Sequence, residues 1–187
     1  MNPIISNIKT RRSVRSFEQK KIEKETLDAI IDAANWAPTG ANSQPWRFVV
    51  VQEPAFRKKL AALALPLYKA WIAKMSPEFQ EMRKEVDAKT TDPVYYEAPV
   101  IIFVIGKGMT NALDCPMACQ NIMLAARSFD IGSCWVYIGQ LTLEDSEVKR
   151  ALELQEDEKV YGPILLGYPK GDFPTPPPKK TPDVKWI

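Results

Sequence analysis

Three arginines lie close together near the start of the chain, in the stretch RRSVRSF at residues 11–17. Arg11, Arg12 and Arg15 carry planar guanidinium groups, which bind phosphate through paired hydrogen bonds. Ser13 adds a hydroxyl and a backbone N–H between them. Charge runs are usually only solvated surface. The stretch is therefore compatible with an anion clamp or with an ordinary basic segment before the first helix.

A second basic pair, Lys179 and Lys180, lies in the proline-dense tail DFPTPPPKKTPDVKWI. Proline disfavours helix formation, so we predict an extended C-terminal arm over residues 171–187. A stiff extended arm can bring remote charge onto the same anion. The tail favours the clamp interpretation without deciding it.

The stretch APTGANSQPWRF at residues 37–48 is rich in turn-forming residues, which alone would indicate a surface turn. Asn42 and Gln44, however, each carry an amide donor and an acceptor, the groups that recognise the amide edge of a flat heterocycle. Trp46 follows at the start of a strand, which suggests burial. We therefore predict a binding loop.

The composition of the chain excludes several reaction classes. Its 187 residues include no histidine, so a Ser-His-Asp or Cys-His centre and an HExxH zinc site are absent. The cysteines, Cys115, Cys119 and Cys134, are too few for a zinc site without histidine, so we interpret them as reduced packing residues and expect no metal. Neither a GxGxxG nor a GxxxxGK[ST] motif occurs. Any nucleotide must be held in another way.

Charge and hydropathy narrow the partners further. A net charge of +2 argues against a broad nucleic-acid surface. No segment is apolar over the ~18–20 residues that a membrane span needs. Residues 1–10 lack the features of a secretory signal, so a cytoplasmic location is expected. The length predicts a single domain over residues 1–187.

The spacing of apolar residues predicts the elements of the first half. TLDAIIDAANWAP should form a helix that Pro38 ends, and WRFVVV at 46–51 a strand. A helix over 55–65 should stop at Pro66. Beyond it we expect two short amphipathic helices between residues 67 and 88, the second capped by Ser76.

The second half predicts a central strand and a nearly all-apolar helix. Residues 99–106 are apolar without alternation, which is typical of a strand covered on both faces. Residues 116–132 predict a helix buried most of the way round, which hints at a subunit interface. Strands at 133–139 and 161–169, with a helix near 144–152 between them, complete an α/β or α+β layered domain.

Four stretches in this order, RRSVRSF, APTGANSQPWRFVVV, CQNIMLAARSFDIGSCWVYIG and LLGYPKG, are similar to those of the flavin-dependent nitroreductase superfamily. The chain resembles that family over almost its whole length. The resemblance implies an α+β nitroreductase-like fold with a central mixed β-sheet flanked by helices. It also implies an intertwined homodimer with an extended C-terminal arm and one tightly bound FMN per subunit at the interface.

The same resemblance implies which residues contact FMN. These are Arg11, Arg12, Ser13, Arg15, Pro38, Thr39, Gly40, Asn42, Gln44, Val136, Tyr137, Ile138, Gly139, and Lys179 or Lys180. The clamp and one tail lysine would bind the phosphate and ribityl side. The loop would line the flavin, commonly from the partner subunit. A backbone N–H near Gly139 would face the flavin N5.

The implied activity is a ping-pong cycle on the flavin, with no catalytic side chain. NADH or NADPH delivers hydride to N5 and leaves, and a nitroaromatic, quinone or similar small acceptor then takes the electrons. Residues 67–97, with Tyr68, Trp71, Phe79 and Met82, could form an active-site cover, or could simply pack on the domain. The alternatives are a flavin-binding relative that dehalogenates, degrades flavin or senses it, and a phosphate- or nucleic-acid-binding module.

Overall fold

The computed structural model of the chain describes residues 2–187, apart from the side chains of residues 85 and 86. The helices of this part are α1 (Pro3–Thr10), α2 (Lys24–Asn35), α3 (Pro54–Ile72), α4 (Pro77–Asp87), α5 (Asn111–Ser128) and α6 (Ser146–Ala151). The strands are β1 (Trp46–Val51), β2 (Val100–Gly106), β3 (Gly132–Trp135) and β4 (Lys159–Gly167). Short 3-10 helices span Gly40–Asn42 and Tyr137–Glu144.

The strands form one sheet in the order β1-β2-β4-β3, and every neighbouring pair is antiparallel. The predicted α+β fold, with a central sheet flanked by helices, is confirmed. Its mixed character is limited to one isolated parallel bridge, which joins Ser13 to Ser133 outside the long ladders. This bridge ties the arginine-bearing stretch to the β3 edge of the sheet.

Strand β2 lies at the centre and is buried on both faces, as its unbroken apolar run predicted. Alternate residues of a strand point to opposite faces, so Ile101 and Phe103 pack in one core cluster with α3. Ile102 and Val104 pack in the other, against α2 and α5. Burial of each such side chain contributes roughly 1.5–3 kcal/mol. Cys115 and Cys119 lie in this second core as free thiols, so their packing role is confirmed.

Helix α3 continues through Pro66, where the sequence had predicted its end. Leu60, Ala64 and Tyr68 follow the i, i+4, i+8 spacing and are all buried, so one apolar stripe spans the proline. That burial outweighs the hydrogen bond that Pro66 cannot donate. The break falls instead after Ile72, and Ser76 Oγ accepts a hydrogen bond from the Phe79 N–H at 3.3 Å, which confirms the predicted N-cap.

Two other predicted boundaries shift. Helix α5 begins at Asn111 and carries Pro116 inside it rather than at its start. Strand β3 ends at Trp135 instead of running to residue 139, and the chain turns into the 3-10 helix. The next partner on β4 is Pro163, which accepts from the Val136 N–H at 2.9 Å but has no N–H to return the bond.

Helix α1 was not predicted at all. Asn2 caps it by accepting from the Ile4 N–H at 2.9 Å, and Pro3 occupies the first turn, where its missing N–H is harmless. Ile4 and Ile8 are 68% and 45% exposed. In a single chain this short helix therefore presents an apolar face that nothing covers in residues 2–187.

The C-terminal residues 172–187 form neither helix nor strand, as their proline content predicted. The arm begins beside the clamp stretch, because the Lys170 N–H donates to the Ser16 carbonyl at 3.0 Å. Val184, Trp186 and Ile187 at its end are exposed. Across residues 2–187, no helix has both the length and the apolar character that crossing a membrane requires.

A buried ion pair fastens β1 to the loop before β4. Arg47 Nε and Nη2 donate to the two carboxylate oxygens of Glu158 at 2.7 Å each, and Nη2 also reaches the Leu152 and Glu153 carbonyls at 3.0 Å. The Glu158 side chain is only 8% exposed. The hydrogen bonds from Arg47 lower the pKa of Glu158 to about 2.

Replacing Glu158 with glutamine keeps its shape and removes its charge. We expect the free energy of unfolding at pH 7 to fall by about 1–2 kcal/mol, since Arg47 is left unpaired. Because the folded pKa lies below the unfolded value of about 4.3, the wild type should lose this contribution as the pH falls from there toward about 2. Urea unfolding at stepped pH measures both effects, and Glu158→Gln should lack this part of the acid dependence.

The control is Glu81→Gln. Glu81 pairs with Lys84 on α4, and both side chains are more than 70% exposed. A pair in water contributes little, so this change should stay within about 0.5 kcal/mol. Equal losses at Glu81 and Glu158 would contradict the role given to the buried pair.

Candidate functional site

The clamp stretch is held in place by its apolar residues. Val14 and Phe17 are buried, and the Val14 N–H donates to the Ser133 carbonyl at 2.9 Å. Arg15 is exposed and lies between them in the sequence. Burial of two anchors thus fixes the backbone of a segment whose polar side chains remain available.

The clamp stretch lies beside Cys134. Burial raises the pKa of the Cys134 thiol, and the nearby Arg15, Ser13 and Arg11 oppose that rise. Ser13 pairs with Ser133 at the β3 edge of the sheet, next to Cys134 in the sequence. The structure therefore places the clamp stretch along this edge.

Arg12 behaves differently from its neighbours. Its Nη1 donates to the Lys9 carbonyl at 2.8 Å and to its neighbour Arg11's carbonyl, so the guanidinium turns back on the end of α1. Within residues 2–187, its buried Nε has no hydrogen-bond partner. Arg12 therefore caps the C-terminus of α1 through Nη1, and its Nε remains available to a ligand.

A wide groove of about 1030 Å³ lies against the clamp. Ser13 and Arg15 line it on one side, and Lys170, Asp172 and Pro174 line it where the C-terminal arm begins. Lys179 and Lys180 follow a few residues further along and are exposed. The clamp and the root of the arm therefore share one space, and Lys170 is a cation of this groove that sequence reasoning missed.

The predicted segment 136–139 lies at the end of β3. Gly139 has no room for a side chain, because an added Cβ would lie 2.7 Å from Pro163 Cγ. The Gly139 N–H donates to the Val136 carbonyl at 3.1 Å and is thereby committed. The amides of Tyr137 and Ile138 precede this first helical bond, and such leading N–H groups are the ones a helix leaves free.

Tyr95 supports this segment from behind. Its hydroxyl lies 3.0 Å from the Gly139 carbonyl and 2.8 Å from Thr142 Oγ1, which itself donates to the same carbonyl at 2.9 Å. Tyr95 is almost fully buried, and burial raises its pKa. No sequence pattern signals this contact, because the partners are more than 40 positions apart.

Residues from the predicted cover meet the 136–139 segment in a cleft of about 160 Å³. Its walls are Arg15, Tyr68, Trp71, Phe79, Arg83, Pro93, Tyr96 and the stretch 134–138. Met82, which shared the helical stripe in the sequence, is 58% exposed and is not among the lining residues. The cleft adjoins the wide groove, since Arg15 and Tyr96 line both.

The predicted binding loop lies elsewhere in the chain. The Gly40 N–H donates to Asp114 Oδ2 at 3.2 Å, which anchors the loop to the start of α5. Gln44 Nε2 donates to Asn42 Oδ1 at 3.1 Å, and the Gln44 N–H donates to Thr39 Oγ1 at 3.3 Å. Asn42 and Gln44 have positive φ angles of 54° and 44°. The loop is therefore internally bonded, and Pro38 leads into it.

The register of β4 gives the distance between the two halves of the predicted site. Ser133, beside the clamp, lies opposite Leu166, whereas Gly106, beside the loop, lies opposite Lys159. These positions are separated by seven residues, or about 23 Å at roughly 3.3 Å per residue. One chain therefore brings the clamp and the 136–139 segment together, and it places the loop seven residues of β4 away from the clamp.

Comparison with known proteins identifies the family of the chain. A model of the Nitroreductase family matches residues 8–168. A crystal structure of a nitroreductase with bound FMN from Bacteroides fragilis is 30% identical, covers 100% of both chains and has a TM-score of 0.79. A protein of Archaeoglobus fulgidus, provisionally named an NADH dehydrogenase/NAD(P)H nitroreductase, is 29% identical over 92% of this chain and 88% of its own.

A relative with a different activity is also similar. The 5,6-dimethylbenzimidazole synthase of Rhodospirillum rubrum is 28% identical over 89% of this chain and 82% of its own. The family match nonetheless spans most of the present sequence. The chain belongs to the Nitroreductase family and is an oxidoreductase of that class, which confirms the resemblance seen in its motifs.

The hydroxyl of Tyr95 can be tested for its role behind Gly139. Tyr95→Phe removes a buried hydrogen bond while preserving the ring, so we expect the free energy of unfolding to fall by about 1–2 kcal/mol. Tyr137→Phe is the matched control, because Tyr137 is 74% exposed. Its effect should stay within about 0.5 kcal/mol. Chemical denaturation followed by circular dichroism compares them, and equal stabilities of Tyr95→Phe and wild type would refute the role.

Proposed function

We propose that this protein is an FMN-dependent oxidoreductase in which NADH or NADPH supplies the electrons and a nitroaromatic, quinone or similar small acceptor receives them. One observation carries the proposal: Ser13 and Arg15 of the clamp line the wide groove, residues 136–138 line the adjoining cleft, and Arg15 lines both. A phosphate-bearing planar ligand needs cations at one end and backbone donors at the other. The nitroreductase of Bacteroides fragilis, which matches the whole chain, contains FMN.

The donors at the clamp fit the phosphate of FMN. Arg11, Ser13 and Arg15 belong to one short stretch that pairs with the β3 edge through Ser13, and the buried Arg12 Nε has no partner within residues 2–187. An unpaired buried donor costs free energy, which a phosphate oxygen would recover through a charge-assisted hydrogen bond. Lys179 or Lys180 would join from the arm, which starts in the same groove.

The loop of Pro38, Thr39, Gly40, Asn42 and Gln44 would reach the flavin from a partner subunit. Within one chain, the loop and the clamp lie beside positions of β4 that are about 23 Å apart along the strand. A homodimer also explains exposed apolar side chains that a monomer rarely gathers on its surface. Those near α1, α2 and α5 include Ile4, Ile8, Trp36, Leu113 and Met117.

When bound, FMN would supply the redox chemistry that this histidine-free chain lacks. The residues of the chain would position the cofactor and shield it from water. Arg11, Ser13 and Arg15 would hold the phosphate end. The amides that begin the 3-10 helix at Tyr137 and Ile138 would face the flavin, and Tyr95 holds the Gly139 carbonyl of the same helix in place. Residues 67–97 cover the cleft and limit the access of water.

The name of the Archaeoglobus fulgidus relative supports a nicotinamide donor. The simplest test is the colour of the purified protein. It should be yellow and release FMN on denaturation, and NADH or NADPH should bleach the bound flavin in stopped-flow mixing before an acceptor restores the colour. A colourless protein that takes up no added FMN would end the proposal, and a flavin that neither nucleotide bleaches would end its ping-pong part.

The clamp can be tested by removing its charges. Arg11→Ala and Arg15→Ala should each raise the dissociation constant of FMN roughly tenfold or more, because each removes a charged hydrogen-bond donor. Ultrafiltration followed by flavin fluorescence measures the free fraction. Lys9→Ala removes a nearby charge from the exposed side of α1 and should leave FMN retention unchanged. Full flavin occupancy in both arginine variants would refute the clamp.

Mixed dimers test whether the loop comes from the partner. One variant carries Arg11→Ala and Arg15→Ala, and the other carries a bulky substitution at Gly40. If each site combines the clamp of one subunit with the loop of the other, co-refolding the two should restore about one site in four, because half the dimers are mixed and each holds one intact site. If both parts belonged to one subunit, mixing would restore no FMN binding.

A further inference from the structure

The cleft between the cover and the 136–139 segment has the size of a single aromatic ring. Its volume is about 160 Å³. An apolar cavity of about 150 Å³ is known to hold benzene in another protein. With the flavin of the proposed function in the adjoining groove, the cleft has room for one further ring.

Aromatic side chains form much of the wall. Trp71 and Phe79 pack edge to face with ring centroids 5.7 Å apart, and Tyr68 and Tyr96 line the same space. Planar apolar surfaces of this kind favour a planar aromatic ligand through stacked or edge-to-face contacts. The cover therefore selects by shape for a flat ring.

Arg83 brings a positive charge into this aromatic wall. Its side chain is only 15% exposed. Nε donates to Tyr68 Oη at 2.8 Å, and Nη2 donates to Asp87 Oδ1 at 2.9 Å. These bonds fix the plane of the guanidinium before any ligand arrives. A preorganised donor loses less conformational freedom on binding than a mobile one.

The Nη1 edge of the Arg83 guanidinium has donors available for a ligand. Among residues 2–187, Nη1 makes only a long contact of 3.5 Å with Tyr96 Oη. Asp87 pairs with the other nitrogen and also accepts from the Tyr68 hydroxyl at 2.7 and 2.8 Å. The side chain of Asp87 is 30% exposed, twice the fraction of Arg83. The carboxylate therefore reduces the charge of Arg83 without occupying its free edge.

The charged residues that line the cleft also favour an anionic ligand. Its lining contains two arginines, Arg15 and Arg83, and neither aspartate nor glutamate. Arg15 belongs to the clamp in the proposed function, which leaves Arg83 as the cation on the cover side. An anionic substituent on a ring in the cleft would meet a guanidinium, the group best suited to hold a carboxylate through paired hydrogen bonds.

We propose that Arg83 is a specificity-determining residue that makes the enzyme prefer electron acceptors consisting of one aromatic ring with an anionic substituent, such as an aromatic carboxylate. This inference rests on the proposed function for the identity of the site. The aromatic wall selects the ring, and Arg83 selects its charge. Neutral rings of the same size bind in the same cleft more weakly.

Binding of ligands that cannot be reduced gives a direct test. Benzoate and benzyl alcohol share the ring and differ in charge, and titration of the flavin-loaded protein, followed by its absorbance and by calorimetry, yields both dissociation constants. The wild type should prefer benzoate. Arg83→Gln should reduce that preference roughly tenfold, the effect of one charged hydrogen bond. Lys84→Gln removes the neighbouring charge, which is exposed on the same helix, and should change nothing.

A second variant acts in the opposite direction. Asp87→Asn keeps an oxygen acceptor for Arg83 and Tyr68 but removes the opposing charge, so the preference for benzoate should rise. This variant decides the question if Arg83→Gln fails to fold. Equal weakening of both ligands in Arg83→Gln, an unchanged preference in either variant, or a wild type that binds neither ligand would overturn the inference.

Turnover separates this inference from the proposed function. With NADH or NADPH as reductant, the ratio of kcat/KM for 4-nitrobenzoate to that for 4-nitrobenzyl alcohol should follow the binding preference in each variant, and turnover that ignores charge would overturn the inference. Reduction of neither nitro compound, with the binding preference intact, would contradict the proposed function alone. The bleaching of flavin by the nucleotide should be unchanged in Lys84→Gln.

Discussion

Burial of β2 on both faces is the constraint on which the rest of the molecule depends. A strand with two apolar faces needs a separate layer on each side, and α3 supplies one while α2 and α5 supply the other. The sheet order then places β3 at one edge, beside the clamp stretch. It places the loop before β1 at the far end of the strands. The geometry of the candidate site follows from how this one strand is covered.

The candidate binding groups lie where the hydrogen-bond ladder between β3 and β4 ends. Strand β3 ends opposite Pro163, which cannot return a hydrogen bond, and the backbone turns there into a 3-10 helix. The first N–H groups of this helix lie beyond the end of β3, and the first N–H groups of a helix have no acceptor within it. Tyr95 and Thr142 then fix that turn from the buried side. The end of β3 pairing thus leaves backbone donors in a fixed position next to the arginine clamp.

Local patterns predicted the parts of this structure that depend on local physics. The unbroken apolar run of β2, the strand at 46–51 and the Ser76 cap were all read correctly, because each is determined by neighbouring residues. The end of α3 was wrong, because the burial of Ala64 and Tyr68 is a tertiary effect that overrides Pro66. Helix α1 was missed, since its eight residues make only about two turns.

Some features of the candidate site could be predicted from the sequence, and others could not. Its motifs could be found in the sequence, and the family match confirms the class of protein. The contacts of Tyr95 with Gly139, and of Arg83 with Tyr68 and Tyr96, could not be found, since they join residues whose proximity only the fold creates. Arg12 shows a further limit: its type suits phosphate, yet two of its hydrogen bonds close α1. Residue identity gives the chemistry available, and packing decides which atoms remain free to use it.

The separation of clamp and loop along β4 has a thermodynamic consequence. In a site assembled from two chains, association of the subunits and retention of FMN are linked, and each favours the other by the same free energy. For such a site, dilution would favour loss of the flavin as well as dissociation of the subunits. The supply of flavin and the amount of dimer would then depend on one coupled equilibrium.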